Sequence, residues 1–383
     1  MLVGRAAFGA ALWLAAAGGA RAEIAVSAND GKATLENGAQ VVPGAVVPDT
    51  VSVIDLSASP PRVLSEIAAP ASVAGPPSSV AVAPDESFAL VTAAQKLDPK
   101  APKTFAPDDR LSVIDLRTSP PKVVATHPVG PGAAGVSINR AGTLALVANR
   151  NEGTVSVFTI KAGVLADAGR VRLGDEKSGP SAIAFTRDGK TAYVTRDGDW
   201  RISVLTIDGD TVAYAKRDLF AGIRPYGIDI TGEGALAAVA NIGMGMGDAD
   251  TVSLIDLTAK PPRVVATTTV GQTPEGLKLS PDGAFLAVGV INGSNKAASS
   301  PFYSEHGLLK IYRISGFDLV KVAEAEVGHW CQGIVWSRDG RTLLTQCMIE
   351  REILAFSFDG SRLAPAGTIR TGNGPAGIRT AEP

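Results

Sequence analysis

Apolar residues occur along this chain in short runs of strand length, and each run ends at a turn signal. Residues 273–290 show the unit, because two apolar runs flank the turn residues Pro281, Asp282 and Gly283. Proline presets φ and glycine tolerates a positive φ, so this stretch is predicted to be one β-hairpin. A single hairpin cannot bury both of its faces, and the unit therefore needs neighbours of its own kind.

Those neighbours are copies of the same outline. They lie at 77–86, 133–142, 180–189, 225–234, 331–340 and, in shortened form, 375–378. A period of about 40 to 50 residues with four short strands per repeat is typical of a β-propeller. The residue two places into each copy is small, as an innermost strand crowded around a channel requires. These residues are Ser79, Gly135, Ala182, Gly227, Gly276, Gly333 and Gly377. The sequence thus predicts an all-β, seven-bladed propeller of four-stranded antiparallel blades.

The first blade is predicted to take its strands from both ends of the chain. Candidate strands at 24–29, 50–56 and 62–67 lack an innermost member, and the last copy, at 375–380, supplies one. Pairing of the N- and C-terminal strands would close the ring and remove sheet edges that invite aggregation.

Residues 1–22 have the features of a secretory signal peptide. Arg5 precedes an apolar run, and Ala20 and Ala22 are small residues at the positions that a signal peptidase reads. The apolar run is too short for a comfortable membrane span. We therefore expect a periplasmic or secreted protein, with residues 23–383 as one domain that has no membrane span after cleavage. We also expect a monomer.

The charge balance argues against a nucleic-acid partner. Loss of Arg5 and Arg21 with the leader leaves 34 of the 36 basic residues, against 38 acidic ones. Nucleic-acid binding usually needs a basic face, so we expect no such partner.

One repeat carries a specific resemblance. Residues 147–158, V-A-N-R-N-E-G-T-V-S-V-F, lie between a turn and a P-x-G copy and resemble the YVTN-type β-propeller repeat. The resemblance extends over residues 23–383. That family shares its seven-bladed architecture with the lactonase-like propellers and, more distantly, with the heavy chain of quinoprotein amine dehydrogenases. The repeat residues build hairpins, so the resemblance implies the fold and leaves the function open.

Loop lengths favour one face of the disc as the functional one. Chain direction places the second-to-third strand connections on the same face as the segments that lead into the inner strands. Four of these connections are long, at 30–49, 95–109, 242–250 and 292–306, whereas the turns on the other face are short. Long loops on a rigid scaffold commonly carry binding sites, although surface loops also tolerate neutral insertions. We call the two sides the long-loop face and the short-turn face.

Polar and aromatic residues are expected at the channel mouth on the long-loop face. Those before inner strands are Arg224, Tyr226, Glu275, His329 and Trp330, and those at second-strand ends are Asn149, Arg196 and Asn241. The two arginines could hold an anionic or carbonyl-bearing ligand, with Glu275 or His329 as the candidate catalytic base. Alternatively, the asparagines cap local turns and the arginines pair with nearby acids.

The two cysteines begin and end the first two strands of one blade. Pairing across the turn at 338–341 places Cys331 and Cys347 opposite each other, or one residue from opposite, which is close enough for a bridge. In an oxidising compartment we predict a disulfide. A buried thiol pair and a redox site are the alternatives.

Familiar catalytic motifs are missing or occur in the wrong context. Residues 130–135 match G-x-G-x-x-G but lead into a strand, and three histidines are too few and too scattered to nominate a zinc site. We expect no cofactor and no metal. The leading hypothesis is a non-catalytic, extracytoplasmic protein that binds a small-molecule ligand or a periplasmic partner protein on its long-loop face. The alternatives that the resemblance allows are a lactonase-like hydrolase or isomerase for a small carboxylate-bearing lactone, and a propeller subunit of a periplasmic quinoprotein-type redox system.

Overall fold

A computed structural model describes residues 23–382 of the chain. Over this range the protein is all β, and seven four-stranded antiparallel sheets form a ring of blades, which confirms the predicted architecture. None of the elements between residues 23 and 382 is a helix long and apolar enough to cross a bilayer. The predicted signal peptide, residues 1–22, lies outside the described residues.

We number the blades 1 to 7 from the one that contains both chain ends. The innermost strands of blades 1 to 7 are Gly374–Thr380, Val80–Val82, Ala133–Ile138, Pro180–Phe185, Pro225–Ile230, Pro274–Leu279 and Cys331–Trp336. The second strands are Ile24–Asp30, Phe88–Asp98, Leu144–Asn149, Thr191–Arg196, Leu236–Asn241, Phe285–Val290 and Thr342–Cys347. The third strands are Thr50–Asp55, Ala101–Asp115, Thr154–Lys161, Arg201–Asp208, Asp250–Asp256, Gly307–Ser315 and Glu352–Phe358. The outer strands are Arg62–Ala68, Lys122–Pro128, Val164–Arg172, Thr211–Leu219, Arg263–Gly271, Asp318–Val327 and Leu363–Arg370.

Both ends of the chain meet in blade 1, as predicted. Gly374–Thr380 pairs antiparallel with Ile24–Asp30, and the register sets Ser27 opposite Ile378. Ile24–Asp30 pairs on its other side with Thr50–Asp55. The ring is therefore closed by backbone hydrogen bonds between segments at opposite ends of the sequence, and the strand edges of both segments are paired.

The core lies between blades. Leu90 of blade 2 and Val147 of blade 3 are fully buried in one apolar cluster, and Leu146 of blade 3 shares another with Val194 of blade 4. Each sheet is too thin to bury its own apolar faces, so stability depends on blade-to-blade contact.

The small residues of the inner strands lie where neighbouring blades approach most closely. A Cβ atom added at Gly276 would lie 1.7 Å from the carbonyl oxygen of Gln332 in the next blade. One added at Gly135 would lie 2.3 Å from the carbonyl oxygen of Ser181. Any larger residue at these positions would push the inner strands apart.

Two of the connections expected to be long loops contain strand pairs. Residues 95–109 continue the second and third strands of blade 2 as a hairpin, with Gln95 opposite Pro107. Within 30–49, Thr34–Glu36 pairs with Ala39–Val41 across Asn37 and Gly38, which both have positive φ. Asn-Gly favours such a two-residue turn, and pairing satisfies backbone groups that a loop would leave to water.

Candidate functional site

A cluster of charged side chains lies at the long-loop end of the channel, centred on Asp197. This carboxylate follows the second strand of blade 4 and is only 3% exposed. Arg150 of blade 3 donates from Nη1 to Asp197 Oδ1 (2.6 Å) and from Nη2 to Oδ2 (3.2 Å). Arg224, at the start of blade 5, donates from Nη2 to Oδ2 (3.2 Å). We call these three residues the Arg–Asp cluster.

The Arg–Asp cluster carries one net positive charge. Burial alone would raise the pKa of Asp197, but the charge and hydrogen bonds of Arg150, with help from Ser181 and Arg224, hold this pKa below its ordinary value. Asp197 is therefore ionised at neutral pH, and two guanidinium groups share its single charge. The Arg224 side chain is 36% exposed and makes no other hydrogen bond to the described residues. Its remaining N–H groups are thus available to a ligand.

Glu275 lies near this cluster at the start of the inner strand of blade 6. It is 9% exposed, and burial raises its pKa to about 7. Hydrogen bonds from Trp330 and Gln332 and the charge of Arg224 oppose that rise without cancelling it. Trp330 Nε1 lies 3.3 Å from Glu275 Oε2. Near neutral pH both protonation states of Glu275 are populated, so this side chain can either accept or donate a proton.

Tyr226 lies between the Arg–Asp cluster and Glu275. The Arg150 guanidinium is 5.8 Å from the centroid of its ring, a cation–π distance. Burial raises the pKa of Tyr226, and both Arg150 and Glu275 act on it electrostatically. The phenol therefore stays neutral at physiological pH. The structure thus brings four of the predicted site residues together at this end of the channel: Arg224, Tyr226, Glu275 and Trp330.

The predicted asparagines are not at the channel mouth. Asn149 Nδ2 donates to Thr154 Oγ1 (2.8 Å) and Ser156 Oγ (3.0 Å) on the third strand of its own blade. Asn241 makes the equivalent pair of bonds to Thr251 and Ser253. Both side chains link the second strand to the third strand of their own blade by hydrogen bonds. Their role is therefore local and structural rather than ligand contact.

Arg196 is likewise turned away from the channel. Its Nη1 donates to the carbonyl oxygen of Leu173 (3.0 Å) and to Ser203 Oγ (3.1 Å), and its Nη2 pairs with Asp199. Successive side chains of a strand point to opposite faces, so the residue one place later points the other way. Arg150 follows Asn149, and Asp197 follows Arg196. In blades 3 and 4 the expected positions were therefore one residue too early, and the charged residue directly after the second strand was the missed signal.

His329, the other candidate base, pairs with a carboxylate of its own blade. Its Nδ1 lies 2.6 Å from Glu350 Oε1, and its backbone N–H donates to the same carboxylate (2.9 Å to Oε1). This pair is local to blade 7. Of the two candidate bases, Glu275 is therefore the one that interacts with the Arg–Asp cluster.

Residues 69–79, which we call the crossing segment, span the channel at the same end. A Cβ atom at Gly75 would lie 3.8 Å from Arg150 Cδ in blade 3, and one at Gly276 in blade 6 would lie 3.6 Å from Pro77 Cγ. Asp30 Oδ2 accepts a hydrogen bond from Val73 N (2.8 Å) and anchors the segment to blade 1. The crossing segment therefore approaches blades 1, 3 and 6 at the end of the channel where Glu275 lies.

A disulfide lies beside the site. Cys331 is directly opposite Cys347 in the register of blade 7, and a disulfide joins them. The bridge links the inner strand to the second strand. Its Cys331 end lies between Trp330 and Gln332, the two residues whose side chains form hydrogen bonds with Glu275. The covalent link thus restrains the backbone that orients both donors.

Comparisons with known proteins bear on the fold. No protein-family model matches the chain, and no curated protein sequence matches it. A candidate 6-phosphogluconolactonase from Bacteroides uniformis is similar in structure, with a TM-score of 0.71, 19% identity, and coverage of 94% of this chain and 100% of that one. The periplasmic gluconolactonase PpgL of Pseudomonas aeruginosa has a TM-score of 0.66 and 17% identity, with coverage of 94% and 98%.

A third similar structure is the hydrazine synthase of Kuenenia stuttgartiensis, with a TM-score of 0.62, 17% identity, and coverage of 80% of this chain and 90% of that one. At these identities the likeness shows a shared propeller fold. It does not carry a function from one protein to another.

Proposed function

We propose that this protein binds a small hydroxylated carboxylate, or the lactone formed from it, at the long-loop end of its channel. One observation carries the proposal: Arg150 and Arg224 share the single carboxylate of Asp197, so the site keeps a positive charge beside a carboxyl group that can be neutral. A planar guanidinium with open N–H groups is well suited to a ligand carboxylate. In this role Arg150, rather than Arg196, is the partner of Arg224.

One polar group near the positive charge supports a hydroxylated ligand. Gln332 Oε1 is buried and has no hydrogen-bond partner among the described residues, and its side chain interacts with Glu275. A ligand hydroxyl would satisfy that acceptor. A sugar acid or its lactone is consistent with the names of two similar structures, a candidate 6-phosphogluconolactonase and a gluconolactonase.

We propose the periplasm or the cell exterior as the place of action. The signal-peptide pattern of residues 1–22 and the bond between Cys331 and Cys347 both support an oxidising compartment. A periplasmic partner protein stays a prediction.

Lactone hydrolysis is the second candidate function, and the pKa of Glu275 favours it. A carboxyl group with a pKa of about 7 can take a proton from water and return it to the leaving oxygen at neutral pH. Arg224 and Arg150 would stabilise the negative charge that forms on the carbonyl oxygen. The likeness to hydrazine synthase concerns the fold alone, so it adds no support to the redox-subunit alternative.

Calorimetric titration with gluconate, and with glucose as the neutral analogue, tests binding. We expect gluconate to bind and glucose not to bind. Arg224→Gln should weaken gluconate binding at least about tenfold, because a charge-assisted pair is lost. Arg362→Gln, at an exposed arginine of blade 7, is the matched control and should have no effect. Equal affinities for gluconate and glucose, or an unchanged Arg224→Gln variant, would contradict the proposal.

Turnover is tested separately with glucono-1,5-lactone, by acid release measured above the spontaneous rate. If the protein is a lactonase, Glu275→Gln should abolish the enzymatic rate while gluconate still binds. If the wild type binds gluconate but does not accelerate lactone hydrolysis, the protein is a binding protein and the lactonase function is ruled out.

A further inference from the structure

A cavity of about 220 Å³ occupies the other end of the channel, on the short-turn face. Residues from the second halves of the inner strands form its wall, which includes Ile138, Ile183, Ile230, Leu279 and Trp336. These apolar side chains form one part of the wall, and polar and charged side chains form the rest. The volume lies below the range of about 300 to 1,000 Å³ that is usual for drug-sized ligands, so an occupant must be small.

The charged lining of this cavity is unbalanced. Four cationic residues border it, against two acidic ones, Asp229 and Glu382. The four are Arg140, Arg187, Lys278 and Arg379. Arg379 also donates to the carbonyl oxygen of Pro77 (3.4 Å), which places its guanidinium inside the channel below the crossing segment. An excess of positive charge beside a partly apolar wall favours an anionic ligand with an apolar body.

Lys278 forms ion pairs with two carboxylates that differ in exposure to solvent. Its Nζ is 3.1 Å from Asp229 Oδ1, while Asp229 Oδ2 accepts a hydrogen bond from Leu279 N (2.8 Å). The Lys278 and Asp229 side chains are each only 11% exposed. Glu382 also pairs with Lys278 Nζ, but its side chain is 57% exposed. The Asp229 carboxylate is therefore built into the wall, whereas the Glu382 carboxylate is the more exposed partner of Lys278 and the one that a ligand can displace.

The fold does not require charged side chains at the inner-strand position that Asp229 and Lys278 occupy. The equivalent position of the seven inner strands is occupied, in blades 1 to 7, by Arg379, Ala81, Ser137, Ala184, Asp229, Lys278 and Val335. Four blades thus pack well with a small or apolar side chain. A buried ion pair is commonly no more stabilising than apolar residues of similar size, so stability alone does not account for Asp229 and Lys278.

We propose that this cavity is a second binding site, for a small ligand with an apolar body and one carboxylate or sulfonate group. The anionic group takes the place of the Glu382 carboxylate on Lys278, next to Arg379, and the apolar body packs against Leu279 and Trp336. This site lies at the opposite end of the channel from the Arg–Asp cluster and does not depend on the function proposed for that cluster.

Three anionic probes test the proposal: phenylacetate, hexanoate and naphthalene-1-sulfonate. Each is titrated by calorimetry, with tryptophan fluorescence as a second readout because Trp336 lines the cavity. Phenylacetamide is the neutral control for phenylacetate. We expect at least one anion to bind with a dissociation constant of about 1 mM or lower, and phenylacetamide to bind at least about tenfold more weakly. Failure of all three anions to bind would overturn the proposal.

Two variants locate the binding. Glu382→Gln removes the competing carboxylate and should tighten binding of the anion several-fold without changing phenylacetamide. The double variant Asp229→Asn, Lys278→Met removes both charges together, which avoids leaving one of them buried and unpaired. It should weaken anion binding about tenfold while its circular dichroism spectrum stays that of the wild type.

Ser137→Phe places a large side chain in the cavity. It tests the location of the site even if the double variant does not fold. It should abolish binding of both the anion and the amide, whereas Arg362→Gln should change neither. Anion binding that persists in Ser137→Phe, or that Glu382→Gln leaves unchanged, would place the probe elsewhere and overturn the proposal.

Discussion

The raised pKa of Glu275 makes the stability of this protein depend on pH in a predictable direction. Burial moves this pKa from an ordinary 4.5 to about 7, so between these values the folded protein keeps a proton that the unfolded chain releases. The free energy of unfolding must then fall as pH rises through this window. A difference between 4.5 and about 7 corresponds to about 3 kcal/mol, most of which is lost by pH 8.

Glu275→Gln isolates this effect. Glutamine has nearly the same shape, carries no charge at any pH, and can still accept the hydrogen bond from Trp330 Nε1. We expect the variant and the wild type to have similar free energies of unfolding near pH 4.5. By pH 8 the variant should be more stable by about 3 kcal/mol, because it no longer buries an ionised carboxylate.

Urea unfolding followed by circular dichroism, at several pH values from 4.5 to 8.5, measures both proteins. Other carboxylates titrate in the same range, but their contributions cancel in the difference between variant and wild type. Glu176→Gln, at an exposed glutamate, is the control and should show a difference close to zero at every pH. A stability difference for Glu275→Gln that does not change with pH would refute the reasoning, as would a variant less stable than the wild type at pH 8.

Three further predictions concern the scaffold. The double variant Cys331→Ser, Cys347→Ser should lose about 3 kcal/mol, as expected for a bridge with a sequence separation of 16, and urea unfolding of the wild type in reductant should match it. Gly276→Ala should lose at least about 2 kcal/mol because its Cβ meets the backbone of Gln332, whereas Gly44→Ala, with open space around it, should be neutral in the same assay. Removal of residues 374–383 should give aggregated protein by light scattering, because Ile24–Asp30 loses its inner partner; a soluble, cooperative truncated protein would contradict the closure.

Local patterns made the scaffold predictable. A strand is specified by alternation within a few residues, a hairpin by its turn residues, and a blade by recurrence of both. The small residue at Gly276 and its equivalents indicated which strand of each blade is innermost. The hairpin within 95–109 was missed because its strands are largely polar, and their pairing depends on backbone bonds rather than on an apolar face.

By itself, the sequence determined the strand order, the number of blades and the closure of the ring by its two ends, because these depend on contiguous residues and on counting repeats. Only the tertiary structure decided which side chains meet in the channel. Arg150, Asp197 and Arg224 come from three blades and contact one another only in the closed ring. A shift of one residue also reverses a side chain, as Arg196 and Asp197 show, and strand boundaries read from a pattern are not that sharp.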